Sequence, residues 1–165
     1  MAETVHLKLK LEKQGEVKGE SSQESLGRKD TIECIYYEHA VTTAREANTN
    51  VLSGRRQHTP IVIRKHIDKS SPMLMQGLTT NEKVSEGVFK FYRPNPTGDG
   101  TTEQYYTVSI KNANIASVRQ ISPDTKDKNE VHSAPLEEVS FVFQDIEWRH
   151  ETGKTSAADS WKEGK

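Results

Sequence analysis

Val5, Leu7, Leu9 and Leu11 alternate with His6, Lys8, Lys10 and Glu12, a strict period of two that turns one face of a strand toward a core and the other toward water. A second strand is predicted over 31–41. Ile32, Cys34 and Tyr36 fall on one face and Ile35, Tyr37 and His39 on the other, so both sides carry bulk. Such a strand is covered by its own core on one side and by something else, such as another subunit, on the other. Ile61, Val62, Ile63 and Ile67 give the β-branched run of a largely buried strand over 60–67. The period then changes. Ser70 and Ser71 offer side-chain oxygens to a helix start, Pro72 suits its first turn, and Leu74 and Leu78 with Met75 form one narrow apolar stripe. This predicts a short helix over about 71–80, ended by Thr79, Thr80 and Asn81, which must lie on a flat apolar surface because it cannot persist alone in water.

Phe89 and Phe91 mark a strand over 87–93, PNPTGDG at 94–100 a tight turn, and Tyr106, Val108 and Ile110 the returning strand of a hairpin over 103–111. Ile115, Val118 and Ile121 continue it with imperfect parity, which predicts a bend near 112–114. In the last strand, 136–148, Val139, Phe141 and Phe143 share a face while Ile146 and Trp148 take the opposite parity, which predicts a bulge near Gln144. Four stretches carry no such period. Residues 14–30 and 122–135 read as polar surface loops, and 151–165 as a polar tail holding Trp161, either docked in a pocket or loose. Residues 42–59 have one glycine and three arginines. A connection of that length is usually functional or mobile, so it is either an arm reaching for a partner or a disordered loop.

At 165 residues the chain fits a single domain over 1–165. Apolar residues make up only 32%, and the mean hydropathy is -0.81, so the core is lean and much polar surface must lie in loops or wet interfaces. Lys plus Arg (23) nearly cancels Asp plus Glu (24), which argues against nucleic acid and membrane surfaces as partners, since both require a basic field. One cysteine, Cys34, excludes an internal disulfide and suits a reducing compartment of assembly. No apolar run follows the start and none approaches the ~20 residues of a membrane helix, so export would not use a cleaved signal peptide.

Catalytic and ligand chemistry leave no recognisable pattern. His6, His39, His58, His66, His132 and His150 are scattered without metal-ligand spacing. Gly153-Lys154-Thr155 imitates the end of a phosphate-binding loop, but Trp148 stands where that loop needs its first glycine. Gly98-Asp99-Gly100 lacks the acidic ligands of a calcium loop and is explained by the hairpin turn. No catalytic, cofactor-binding or metal-binding residue is assigned, and the physical reading stops at a mainly β interaction module.

Specific strings go further: KGES at 18–21, IDKSSP at 67–72, EEVSFVFQDIEW at 137–148 and ADSW at 158–161. Together with the order of elements they resemble the haemolysin-coregulated protein (Hcp) family, tube subunits of bacterial type VI secretion systems, over essentially the whole chain. The resemblance implies a β-barrel of two packed antiparallel sheets with one short flanking helix and a long extended loop at about 42–59. It implies hexameric rings that stack into a hollow tube assembled in the cytoplasm with sheath and spike proteins. The tube is then driven out into neighbouring cells, with effector proteins carried in the lumen. In a closed ring one surface meets a different surface of the neighbour. On this reading Val51 and Leu52 are the apolar anchors of the arm, Arg55 and Arg56 its charged partners, and Glu33, Ile35, Tyr37 and His39 look toward the ring interior. The opposite parity, with Ile32, Cys34 and Tyr36 facing inward to the lumen, remains open. No toxin domain is expected after Trp161. The competing reading from a different class is a monomeric small β-barrel that binds a ligand or acts as an enzyme, and a paralogue serving mainly as effector carrier or chaperone would look the same in sequence.

Overall fold

A computed structural model describes residues 3–130 and 133–161; His132 and the last residues of the polar tail, 162–165, lie outside the described residues. Among the described residues the architecture is mainly β, with one α-helix and two antiparallel sheets of nine and two strands. The alternating segment at the N-terminus forms β1 (Thr4–Leu11), whose Leu7, Leu9 and Leu11 are completely buried. The next strands in sequence are β2 (Gly15–Val17), β3 (Ile32–Cys34), β4 (Tyr36–Glu38), β5 (Val41–Thr42), β6 (Gln57–His58) and β7 (Ile61–His66). The helix α1 (Ser71–Thr79) follows, then the long strands β8 (Lys83–Pro94), β9 (Thr102–Ile121) and β10 (Leu136–His150), and last β11 (Thr155–Ser160). In space the large sheet runs β2-β1-β8-β9-β10-β7-β4, with β3 also on β1 and β11 also on β10. The curled sheet encloses Phe89, Val108, Ile110, Val139 and Phe141 with the β1 leucines and with Ile61 and Ile63 of β7.

The barrel is not closed. The segment predicted as one strand over 31–41 breaks at Ile35: its first half pairs with β1, Val5 opposite Cys34, and its second half with β7, Tyr37 opposite Ile63. One bent segment thus reaches both edge strands without joining them in a continuous ladder. The bend also resets parity. Ile32 and Cys34 are buried, Ile35 is 51% exposed, and Tyr37 turns back to the core. The expectation that Ile35, Tyr37 and His39 share a face fails for this reason.

Local chemistry explains the remaining elements. The β8–β9 turn is closed by Asn95 N–H donating to Thr101 O at 2.8 Å, with Gly98 and Gly100 at positive φ as the turn requires. Asn112, at φ 51°, makes the expected bend in β9. The ladder shifts register between Ser140 and Phe141 rather than at Gln144, although the parity reversal between Phe143 and Ile146 does lie opposite Asn112. At α1 the two serines do not cap the helix as expected. Instead the Asp68 carboxylate accepts from Ser70 N–H at 2.9 Å, while Ser71 Oγ accepts from Asp68 N–H at 3.0 Å. The helix buries Leu74 and Gly77, and a side chain at Gly77 would meet Leu11 and Ile115 at 3.2–3.3 Å. The polar stretches are more ordered than sequence suggests: β2 lies within 14–30, and the tail carries β11, whose six residues pair with Asp145 through His150.

Candidate functional site

Residues 42–59 form an ordered arm. Its base is the β5–β6 ribbon, Val41 opposite His58 and Thr42 opposite Gln57, and further out Arg45 bridges to Leu52. Ser53 N–H donates to Ala44 O and Glu46 N–H to Val51 O, at 2.8 and 2.9 Å, and Asn50 takes a left-handed conformation at the tip. Of the two readings, the disordered loop fails, because the segment is an ordered ribbon. Val51 and Leu52 are 59% and 54% exposed, and Val41 at the base is exposed as well. Single exposed apolar residues are ordinary, but Val51 and Leu52 are consecutive on an ordered ribbon, where successive side chains take opposite faces, so each face of the arm carries one apolar side chain in solvent.

The arm is held at its root by a cluster that joins three distant parts of the chain. Arg56 Nε and Nη2 donate to Asp159 Oδ2 and Oδ1 at 2.7 and 2.6 Å, and Nη2 also reaches Ser160 O at 3.2 Å. His58 Nε2 lies 2.7 Å from Asp159 Oδ2. The fork-to-carboxylate pairing is the strong geometry for an arginine, and the Arg56 hydrogen bonds, with that of His58, hold the Asp159 carboxyl down to about 2 against the opposing effect of burial. Beneath it, the rings of His39 and His58 sit against Phe143 and Trp148 of β10. Burial and the adjacent His58 lower the His39 pKa below its ordinary value.

The residues singled out from sequence therefore separate. Val51, Leu52 and Arg55 lie exposed on the arm, whereas Arg56 is turned inward onto Asp159 of its own chain. Glu33 accepts from the Ser22 backbone and hydroxyl, Ile35 is exposed, Tyr37 packs edge-on to Phe89 and Phe91, and His39 belongs to the arm root. Those four residues do not form one surface. Sequence reasoning missed Asp159 and His58, because no local spacing links positions 101 residues apart; the ADSW string was the available signal.

A second cluster explains the other strings. Lys65, fully buried, reaches Asp68 Oδ1 at 3.0 Å, Glu137 Oε1 at 3.4 Å and Ser71 Oγ at 3.2 Å, and Gln120 donates to the other oxygen of the buried Glu137 at 2.9 Å. Glu20 N–H donates to Asp68 Oδ2 at 3.3 Å. KGES, IDKSSP and EEVSF thus converge on one buried charged network that sets where α1 meets the sheet. A cleft of about 630 Å³ opens near β8–β11, lined by Glu86, Lys111, Asp145, Glu147 and Arg149 among others. Alternating charges of that kind suit a wet surface better than an enclosed apolar ligand.

Comparison with known proteins gives one consistent result. A family model described as "Type VI secretion system effector, Hcp" matches residues 8–150. The "Major exported protein" of Pseudomonas aeruginosa is 32% identical over 136 residues, covering 82% of this chain and 78% of that protein. Among solved structures, a crystal structure of an Hcp protein superposes with a TM-score of 0.85 at 24% identity, covering 97% of this chain and 98% of the other. The Hcp1 protein of E. coli EAEC 042, in a mutant form, gives 0.81 at 29% identity, with 97% and 99% covered. The secreted protein Hcp3 of Pseudomonas aeruginosa gives 0.75 at 27% identity, with 97% and 99% covered.

Proposed function

The chain belongs to the Hcp family of type VI secretion proteins, and from that membership we propose that it is an exported structural subunit that closes into hexameric rings and stacks into a tube. The observation that carries the reading is the arm: it is ordered by its own hydrogen bonds, clamped at its root by Arg56 and Asp159, and leaves Val51 and Leu52 in solvent. A monomer gains nothing from stiffening a ribbon that presents apolar side chains to water, whereas a ring subunit needs such a feature at fixed angle to meet a different surface on its neighbour. Val51 and Leu52 are the anchors, Arg55 the charged rim, and Arg56 the residue that aims the arm.

The subunit is assembled in the cytoplasm, takes sheath and spike proteins as partners, and is exported with effector proteins in the lumen. Ile35 and Glu33, at the bend between β3 and β4, are the lumen candidates from the original set; Tyr37 is core. The role is structural rather than catalytic, and the interior of the sheet is occupied by Leu7, Leu9, Phe89 and Phe141, which leaves the ligand-binding barrel no space at its centre. The test is the pair of substitutions Val51→Asp and Leu52→Asp. Burying the exposed half of each side chain is worth roughly 1 kcal/mol, so their loss together with two introduced charges is expected to reduce rings to monomers of unchanged fold. Intact rings in the double variant would remove the arm from the interface.

A further inference from the structure

Two histidines meet where the arm joins the body. His39 precedes β5 and His58 ends β6, and His39 Nε2 faces His58 Nδ1 at 3.2 Å. The ring planes differ by 14° and the centroids are 5.3 Å apart, so the rings lie nearly end to end with both nitrogens on the line between them. A bridging metal ion would need rings inclined so that their lone pairs converge on it. Rings placed end to end instead leave a straight path for one proton. Among the described residues no group of three metal-ligating side chains is present.

The proton count follows from the neighbours. Asp159 is ionised, since Arg56 holds its carboxyl at about 2, and it lies 2.7 Å from His58 Nε2. His58 therefore turns an N–H to Asp159, and when neutral offers a bare Nδ1 to His39, whose Nε2–H donates. One added proton still leaves a single hydrogen between the facing nitrogens, whichever ring holds it. Two added protons set N–H against N–H and two cations in contact. The groups in contact around the pair are Asp159 of β11, Arg56 just before β6, and the uncharged rings of Phe143 and Trp148 of β10, while Asp145, Glu147 and Arg149 of β10 line the cleft that Asp159 also borders. Asp159 is the anion in contact with His58, and both of its oxygens also accept from Arg56.

We propose that His39 and His58 form an acid-released latch on the arm, closed with no proton or one added to the pair and opened when both rings are charged. Its use in assembly rests on the ring-forming reading: a released root no longer fixes the angle at which Val51 and Leu52 meet the neighbour. The sign agrees with the burial of His39. A base whose pKa is depressed in the closed form stabilises that form above the ordinary histidine value and loses the contribution as pH falls below about 6.5. One extra proton taken up on opening raises the open population by up to about tenfold for each pH unit below that value.

The experiment is hydrogen exchange of the full chain from pH 7.5 to 5, corrected for intrinsic exchange chemistry, with light scattering on the same samples. The reporter is Thr59 N–H, which donates to Ala40 O at 2.9 Å across the root. Its protection falls with pH in the wild type while the amides of β1 keep theirs. In His39→Gln, whose amide can still donate to His58 Nδ1 but cannot be charged, Thr59 stays protected. Should that variant fail to fold, His58→Gln is read in the same way. Equal slopes in wild type and variant, or no slope in the wild type, overturn the latch. Monomers at pH 7.5 with the slope present sink the ring reading and leave the latch; rings at pH 7.5 with no slope sink the latch alone.

Discussion

Asp159→Asn tests the arm root with almost no change of shape. Asp159 accepts from Arg56 at 2.6 and 2.7 Å and from His58 at 2.7 Å, with the three side chains only 14–20% exposed. Three charge-assisted bonds at about 1.5–3 kcal/mol each set an upper bound that a site in contact with water does not reach. A tighter figure comes from the carboxyl itself, held at about 2 by Arg56 first and then His58. At about 1.4 kcal/mol per tenfold change in proton affinity the depression amounts to about 2–3 kcal/mol, and solvent screening at this partly open site leaves about 1–2. The contribution is present above the ordinary carboxylate range and is lost as pH falls toward 2, so it is complete at pH 7. Asp159→Asn should therefore speed exchange of the Thr59 amide by about 5–30-fold at pH 7. The urea midpoint of the whole domain should hardly move, because the root is outside the core. A double-mutant cycle with Arg56→Gln should return a coupling of about 1 kcal/mol. Unchanged exchange, or strictly additive single effects, would refute the clamp.

Lys65→Met leaves the fully buried Glu137 with Gln120 as its remaining donor; it is expected to cost about 3–5 kcal/mol in urea unfolding, and Lys65→Met with Glu137→Leu to recover most of that. Gly19→Ala would place a methyl 2.6 Å from Thr31 O and 2.7 Å from Ile32 Cα, backbone atoms that cannot step aside, and should lower stability by about 1–3 kcal/mol in the same assay. His6 is buried, and burial pushes its pKa down to about 4. A depressed base stabilises the fold above about 6.5 and withdraws that stability as pH falls, so the wild type should lose roughly 3 kcal/mol between pH 6.5 and 4 and His6→Gln should show a flatter profile in that window.

The strands with one dry and one wet face were legible, because burial writes itself directly into the period: β1, the β8–β9 hairpin and α1 lie where alternation, turn residues and Pro72 put them. Asn112 was legible for a related reason, since a change of parity needs a bend and Asn tolerates the left-handed conformation found there. Strand β11 was not. Its first four residues are exposed, so it holds its place through ladder bonds to β10, which no side-chain pattern records. The break at Ile35 was hidden because Ile32 through Tyr37 are bulky on both faces, and two short strands of opposite parity read as one long one. Arg56 looked like a surface charge for the same reason that Asp159 was missed: their pairing joins positions 103 apart, and only the folded sheet brings β11 beneath the arm.

The most direct test of the account is the mass in solution of the purified protein, by size-exclusion chromatography with light scattering, followed by negative-stain images of the main peak. The account predicts a hexamer of the 18.6 kDa chain, seen as a ring with a central hole. A monomer that persists over a wide concentration range would contradict it, and would leave the stiffened arm with its exposed Val51 and Leu52 without a partner of its own kind.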